Sequence, residues 1–151
     1  MRFVIQRILS ASVEIDEKPC AKAGRGLLVL AGFKEGDNDE TISYMLNKLF
    51  ALRIFEDENG KMNLSLKDIE GDAIIVPNFT LYGDARKGNR PGYSYGAAPE
   101  TARKIFESVS KAASGLYPPE RLSFGVFQAD MKVSLINDGP VTILLDSDKN
   151  F

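Results

Sequence analysis

The sequence has no histidine, and Cys20 is its only cysteine. A single cysteine excludes an internal disulfide and a metal site built from several cysteines, and the lack of histidine removes the commonest zinc ligand. It also removes Ser-His and Cys-His nucleophilic catalysis. We therefore expect no metal and no other cofactor. An enzyme of this composition must use carboxylates, hydroxyls, backbone amides or a group on its substrate.

Long apolar runs and an excess of one charge are absent as well. No run approaches the ~18–20 residues of a membrane span, and the stretch from Met1 to Arg7 is too short and too charged for a signal peptide. The 19 Lys and Arg side chains against 21 Asp and Glu give a formal charge of −2, which provides no general attraction to nucleic acid. We expect a cytoplasmic protein with no membrane partner, in which any RNA contact comes from a local patch.

The remaining composition is that of an ordinary globular chain. With 151 residues, of which 44% are hydrophobic, we expect one domain that spans residues 1–151. Alternating apolar residues predict two strands between Arg2 and Ile15, separated around Ser10-Ala11. Continuous apolar runs predict buried strands at Gly26–Phe33 and Ala73–Val76.

Apolar residues at helical spacing predict two main helices. The face of the first carries Ile42, Met45, Leu46, Leu49 and Phe50. The second begins at Pro99, ends at Gly115 and carries Ala102, Ile105, Phe106, Val109 and Ala113. Two helices among many strands predict an α+β domain with a curled, barrel-like sheet of antiparallel or mixed strands.

A Gly-Pro step interrupts the last strand-like stretch. Asn137 to Thr142 falls where the runs Met131–Ile136 and Val141–Asp146, both typical of strands, meet. One interpretation is a tight turn that joins two hairpin strands. The alternative is a rigid backbone probe whose carbonyls point at a ligand. Upstream, Phe127 and Met131 are four residues apart, which predicts one strand face in the core.

One local patch is both basic and aromatic. It lies within residues 82–96 and contains Arg86, Lys87 and Arg90 with Tyr82, Tyr93 and Tyr95. Such a loop is commonly solvated surface. The alternative is a site for a nucleic-acid backbone and a stacked base, because phosphates favour Arg and Lys and bases stack on aromatic rings.

Several short motifs stand together in one order along the chain. They are Gln6-Arg7, Ala11-Ser12-Val13, Gly26-Leu27-Leu28-Val29, Arg53-Ile54-Phe55, Gly60-Lys61-Met62-Asn63, Phe79-Thr80-Leu81, Lys87-Gly88-Asn89-Arg90-Pro91, Phe127, Ala129-Asp130-Met131 and Asn137-Asp138-Gly139-Pro140-Val141-Thr142. With these motifs the whole chain resembles the D-aminoacyl-tRNA deacylase family, also called D-tyrosyl-tRNA deacylase. The resemblance implies that family's fold and a homodimer that hydrolyses the ester between a D-amino acid, or glycine, and the 3′-terminal adenosine of tRNA.

The resemblance also implies roles for individual residues. Gly139 and Pro140 would form a cis pair that enters the partner subunit's active site and excludes L-amino acids sterically, with Arg7 bracing it. The catalytic residues would be Asn78, Phe79 and Thr80, in which backbone N–H groups hold the oxyanion and the 2′-hydroxyl of the ribose replaces a protein base. Phe127, Ala129 and Met131 would line the adenosine pocket, and Arg86, Lys87 and Arg90 would contact the tRNA acceptor end.

The chain departs from the family pattern at Pro77-Asn78, where the family usually has Ser-Gln, and at Gly92-Tyr93, where it has Ser-Phe. A related animal deacylase that accepts a small L-amino acid resembles this chain in having Pro before the amide residue. Two alternatives therefore stand beside the D-specific deacylase. One is an editing deacylase with relaxed chirality that acts on a small L-aminoacyl-tRNA, and the other is a non-catalytic RNA-binding module on the same fold.

Overall fold

The computed structural model describes residues 1–151, which form eight strands and two helices. The elements are β1 (Arg2–Ile15), β2 (Lys18–Ala23), β3 (Gly26–Gly32), α1 (Asp39–Ala51), β4 (Phe55–Glu56), β5 (Met62–Leu64), β6 (Asp72–Pro77), α2 (Pro99–Leu116), β7 (Leu122–Phe124) and β8 (Lys132–Asp146). Single turns of 3-10 helix follow β6 at Phe79–Tyr82 and α2 at Pro119–Arg121.

Strand β1 is the axis of the sheet. Along one edge of β1, its N-terminal half pairs with β3 and its C-terminal half pairs with β2. Strand β8 pairs along the other edge, and all three pairings are antiparallel. Strands β3, β6 and β7 continue the sheet in parallel. Because β2 also contacts β6 and β7, the sheet curls into a nearly closed barrel. This confirms the predicted α+β domain with a curled, mixed sheet and two main helices.

The two faces of the sheet bury separate apolar clusters. The outer face carries Phe3, Ile5, Val29 and Ile75 and is covered by the helices, while a smaller cluster fills the inside of the curl. All of the residues predicted for the two helical faces are buried. Neither helix is long and apolar enough to cross a membrane.

The N-terminal region differs from the prediction. Instead of two strands around Ser10-Ala11, β1 is one strand of 14 residues, and the chain reverses after it at Asp16 and Glu17, which have positive φ angles of 49° and 61°. The apolar alternation changes phase near Arg7 because the pairing of β1 with β8 shifts register there. A bulge in one long strand therefore produces the interruption that looks like a strand end in the sequence.

The same register shift overturns the hairpin interpretation of the Gly-Pro step. Strand β8 does not reverse at Gly139-Pro140, since both of its halves pair antiparallel with β1. Gln6 pairs with Thr142 and Ile8 with Asn137, so residues 138–141 of β8 are left opposite the single residue Arg7. The Gly-Pro step is therefore a wide bulge in a continuous strand of 15 residues.

Candidate active site

The residues after β6 form a tight turn. The N–H of Asn78 continues the sheet by donating to the carbonyl of Ala31 at 2.7 Å, and the chain then turns into the 3-10 helix. The Asn78 side-chain oxygen accepts hydrogen bonds from the Thr80 N–H at 3.0 Å and from the Thr80 hydroxyl at 2.6 Å. Asn78 therefore caps the turn and holds both polar groups of Thr80.

The N–H of Phe79 is left free by this cap. As the first residue of the 3-10 helix it has no acceptor within the helix, and the Asn78 side chain bonds the next residue instead. Phe79 as a whole residue is 65% exposed, which places the turn at the surface of the molecule. The turn thus offers one available backbone donor and a second, on Thr80, that the Asn78 side chain occupies.

Arg2 supports this turn from behind, a role that the sequence did not indicate. Its guanidinium donates to the Leu81 carbonyl at 3.0 Å, pairs with Asp146 at 3.2 Å and lies 4.6 Å from the Tyr82 ring centroid. Burial raises the pKa of Asp146, but hydrogen bonds from the Asp148 N–H, the Asn150 amide and Arg2 outweigh it and bring that pKa below its ordinary value. The carboxylate therefore stays ionised and keeps Arg2 in place.

The segment from Gly125 to Met131 lies beside the end of β6. The N–H of Gly125 donates to the Ile75 carbonyl at 2.9 Å, and a Cβ at Gly125 would lie 2.8 Å from the Met131 sulfur and 3.1 Å from Pro77. Met131 therefore packs next to the candidate turn. Ala129 is half-buried in the same loop.

The sequence predicts that Phe127 and Met131 share a strand face, but in the structure neither residue lies in a strand. Residues 127–130 form a turn, because β7 ends at Phe124 and β8 begins at Lys132. The Phe127 ring lies 6.5 Å from that of Phe106, and the Arg103 guanidinium lies 5.0 Å from it. One part of the ring is thus already covered by α2.

The basic and aromatic loop contains a tightly held arginine. Arg86 donates to both carboxylate oxygens of Asp84, at 2.8 and 2.9 Å, and to the Tyr95 hydroxyl at 3.1 Å. The Arg86 hydrogen bonds lower the pKa of Asp84 to about 2, and the pKa of Arg86 is raised in return. Lys87 and Arg90 are exposed and take part in none of the ion pairs of the structure.

Arg7 contacts the bulge in β8. This side chain is 6% exposed, and its Nε donates to the Asp138 carbonyl at 2.8 Å while one terminal nitrogen donates to the Ile54 carbonyl at 2.7 Å. The Asp138 carboxylate is also 3.2 Å from Nε, so Asp138 contacts Arg7 through both its backbone and its side chain. A Cβ at Gly139 would lie 2.7 Å from the Val141 nitrogen, which explains glycine at this position.

The bulge itself is open to solvent. Gly139 and Pro140 are exposed, and the peptide bond between them is cis. Large apolar side chains near it are exposed as well: Leu9 by 51%, Leu135 by 37%, Ile136 by 58% and Leu144 by 49%.

Within one chain the bulge and the candidate turn lie far apart. Arg7 pairs with Leu27 of β3, which pairs with Ala73 at the start of β6, whereas Thr80 follows the end of β6. With neighbouring strands ~4.8 Å apart and a rise of ~3.3 Å per residue, Gly139 and Thr80 are on the order of 20 Å apart. The predicted site residues thus form two groups, and the structure brings Met131 but not Gly139 to the turn.

The structure contains no cluster of acidic and cysteine side chains that could hold a metal ion, and Cys20 is exposed. Two contacts near the turn were missed in the sequence. Arg2 gave no signal, because a charged residue at a chain end is usually solvated. Tyr93 was part of the aromatic patch, but only the structure shows that it packs against Phe79, with the ring centroids 5.1 Å apart.

Comparisons with known proteins agree on one family. Residues 4–146 match the family model described as D-Tyr-tRNA(Tyr) deacylase. The D-aminoacyl-tRNA deacylase of Thermosipho africanus (strain TCF52B) is 53% identical over 151 residues, which are 100% of both chains.

Solved structures share the fold over nearly the whole chain. The c-Myc DNA Unwinding Element Binding Protein aligns with a TM-score of 0.92 and 36% identity, over 97% of this chain and 98% of that one. A probable eukaryotic D-amino acid tRNA deacylase aligns with a TM-score of 0.80 over 95% of this chain and 97% of that one. At 20% identity, the second likeness shows the fold alone.

Proposed function

Since the chain belongs to the D-Tyr-tRNA(Tyr) deacylase family, whose members hydrolyse the ester bond of D-aminoacyl-tRNA, we propose that it frees tRNA of D-amino acids and glycine and spares L-aminoacyl-tRNA. The proposal assigns the chemistry to the turn at Asn78–Thr80 and the stereochemical choice to Gly139 and Pro140. The single observation that carries it is the N–H of Phe79, which has no hydrogen-bond acceptor and belongs to an exposed residue at the end of β6.

In the proposed reaction, a water oxygen attacks the ester carbonyl carbon. The resulting oxyanion accepts a hydrogen bond from the Phe79 N–H and, once the Asn78 side chain yields it, from the Thr80 N–H. The tetrahedral intermediate then collapses, the bond to the ribose 3′-oxygen breaks, and that oxygen takes a proton. The products are the free amino acid and tRNA with its 3′-hydroxyl restored.

The proton from the attacking water needs an acceptor other than histidine. We assign this role to the ribose 2′-hydroxyl, which lies next to the ester on the substrate itself: it accepts the water proton and passes its own proton to the departing 3′-oxygen. Thr80 is a poor candidate for a covalent nucleophile, because its hydroxyl donates to the Asn78 amide oxygen and no base adjoins it. Met131, Ala129 and Phe127 would line the space for the adenosine beside this turn, as the position of Met131 near Pro77 supports.

Selection against L-amino acids would come from the bulge of a second subunit. Gly139 and Pro140 are exposed but on the order of 20 Å from the turn of their own chain. A homodimer would bring the bulge of one subunit to the turn of the other, and the exposed apolar residues Leu9, Ile136 and Leu144 would be covered by the same contact. Backbone carbonyls of the selector would then occupy the space of an L side chain, while glycine, which has none, would pass.

The test compares D-tyrosyl-tRNA, L-tyrosyl-tRNA and glycyl-tRNA under identical conditions with the purified protein. We expect the D and glycyl esters to be hydrolysed and the L ester to stay intact. Hydrolysis of the L ester would support the relaxed editing deacylase instead. No hydrolysis of any ester would favour nucleic-acid binding without catalysis, the kind of activity that the name of one structural relative describes.

A further inference from the structure

Two exposed aromatic rings form a corner beside the candidate turn. Phe79 is 65% and Tyr93 is 44% exposed, and the rings meet edge to face at 70° with their centroids 5.1 Å apart. We call this pair the Phe79–Tyr93 corner. Aromatic side chains usually bury most of their surface, so two open ring faces next to a reaction site need a function.

The backbone around Tyr93 supports its side of the corner. A Cβ at Gly83 would lie 3.2 Å from the Tyr93 ring, which shows that this ring rests on the Gly83 backbone. The loop that leads to Tyr93 is closed by two backbone hydrogen bonds between Asp84 and Gly92, at 2.7 and 2.9 Å. Contacts that already restrict a ring reduce the side-chain entropy that is lost when the ring stacks on a base.

The loop that leads into the corner carries positive charge. Lys87 and Arg90 lie in the loop that Asp84 and Gly92 close, and both are exposed without an ion-pair partner. Arg86 in the same loop is neutralised by Asp84. Open ring faces next to free Lys and Arg side chains are the combination that binds single-stranded nucleic acid, since the rings stack on bases and the cations attract phosphates.

We propose that the Phe79–Tyr93 corner stacks on the base of the nucleotide that precedes the terminal adenosine of the tRNA substrate. This inference rests on the proposed function, which places the ester carbonyl at the Phe79 N–H. The ring of Phe79 belongs to the same residue as that donor, so the corner lies within the reach of the neighbouring nucleotide.

The test uses Tyr93→Ala, Tyr93→Phe and, as a matched control, Tyr44→Ala, which removes a tyrosine that is 45% exposed on α1. Three substrates are compared: D-tyrosyl-tRNA, the same tRNA with an abasic penultimate nucleotide, and D-tyrosyl-adenosine. We expect Tyr93→Ala to raise KM for D-tyrosyl-tRNA roughly tenfold, as loss of one stacked base does, with little change in kcat. Tyr44→Ala should keep the KM of the parent protein, and Tyr93→Phe, which retains the ring, should restore most of the affinity that Tyr93→Ala loses.

The abasic tRNA gives the decisive comparison. With the parent protein, KM should be higher for the abasic tRNA than for the intact tRNA by a similar factor. With Tyr93→Ala, the two tRNAs should have nearly the same KM, because both changes remove the same contact. Independent, multiplying effects would overturn the inference. So would an equal loss on D-tyrosyl-adenosine, which would place the amino acid at the corner, or dissociation of a dimer, which would make the corner a subunit contact. If the parent protein hydrolyses none of the substrates, the proposed function itself fails.

Discussion

The chemistry of the turn depends on which backbone N–H groups are available. The Asn78 side-chain oxygen occupies the N–H and the hydroxyl of Thr80, whereas the N–H of Phe79 has no such partner. An oxyanion is a better acceptor than an amide oxygen, so it can displace Asn78 from the Thr80 N–H. The side chain of Asn78 is shorter than that of the Gln usual in the family. It is thus compatible with a pair of N–H donors, on Phe79 and Thr80, of which the second becomes available only when substrate is bound.

Phe79→Pro removes both the N–H and the ring of Phe79, whereas Phe79→Ala removes the ring alone. Comparing the two variants therefore separates the contribution of the N–H from that of the ring. Phe79→Pro should fold, because the first position of a helix accepts proline and Asn78, at φ −145° and ψ 100°, already has the extended conformation favoured before it. We expect kcat for D-tyrosyl-tRNA to fall about 100- to 1,000-fold, the effect of losing one oxyanion donor. Single-turnover kinetics at saturating enzyme measure this loss.

Phe79→Ala is the control, since it removes the ring but keeps the N–H. We expect it to raise KM while kcat changes far less than in Phe79→Pro. Equal kcat values for the two variants would mean that the Phe79 N–H does not stabilise the transition state.

At the scale of elements, the bulge in β8 is the feature that links sequence and proposed selection. Two segments separated by more than 120 residues create it, because its width is set by how β8 pairs with β1. Arg7 fills the gap opposite the bulge and binds the Asp138 carbonyl. Local sequence shows only Asp-Gly-Pro, which is equally typical of a turn, and for this reason the hairpin interpretation was wrong.

Arg7→Lys tests whether this contact sets the geometry of the bulge. A lysine cannot donate to both the Asp138 and Ile54 carbonyls in the geometry of the planar guanidinium, so we expect the free energy of unfolding to fall by about 1–3 kcal/mol. We also expect hydrolysis of L-tyrosyl-tRNA relative to D-tyrosyl-tRNA to rise about tenfold, equivalent to ~1.4 kcal/mol of lost discrimination.

The matched control is Arg121→Lys, which alters a half-buried arginine that pairs with Asp72 at 3.5 Å, away from the bulge. It should leave the ratio of L to D hydrolysis as in the parent protein. If Arg7→Lys lowers the free energy of unfolding but leaves the ratio of L to D hydrolysis unchanged, Arg7 acts in folding and not in selection.

At the scale of the molecule, local periodicity predicted the fold where one face of an element is buried by its neighbours. The buried faces of α1 and α2 follow from apolar spacing, and the strands β3 and β6 follow from continuous apolar runs. Strand β2 was missed because its exposed side chains, such as Lys18 and Lys22, carry no apolar alternation. The positions of the turn residues Asn78–Thr80 came from the family resemblance. The contacts of Arg2 with Leu81 and of Tyr93 with Phe79 depend on chain crossings that no local pattern encodes.

In the proposed homodimer, the distance between the bulge and the turn predicts how a mixed dimer behaves. We consider one subunit with Phe79→Pro, whose turn is inactive, and one with Arg7→Lys, whose selector is relaxed. If the selector acts on the partner, the only active turn meets the intact selector of the Phe79→Pro subunit, so the mixed dimer hydrolyses D-tyrosyl-tRNA and spares the L ester. If it acts within its own chain, the active turn meets the relaxed selector and the L ester is cleaved.

Two affinity tags isolate the mixed dimer, and the dimer of Arg7→Lys with itself provides the relaxed reference for L-tyrosyl-tRNA. A dimer of Phe79→Pro with the parent subunit gives the strict reference, with about half of the D activity, since one of its two turns is intact. We expect the mixed dimer to match the strict reference, because a bulge on the order of 20 Å from its own turn cannot exclude a side chain bound there. Cleavage of the L ester at the rate of the relaxed reference would contradict selection across the subunit interface.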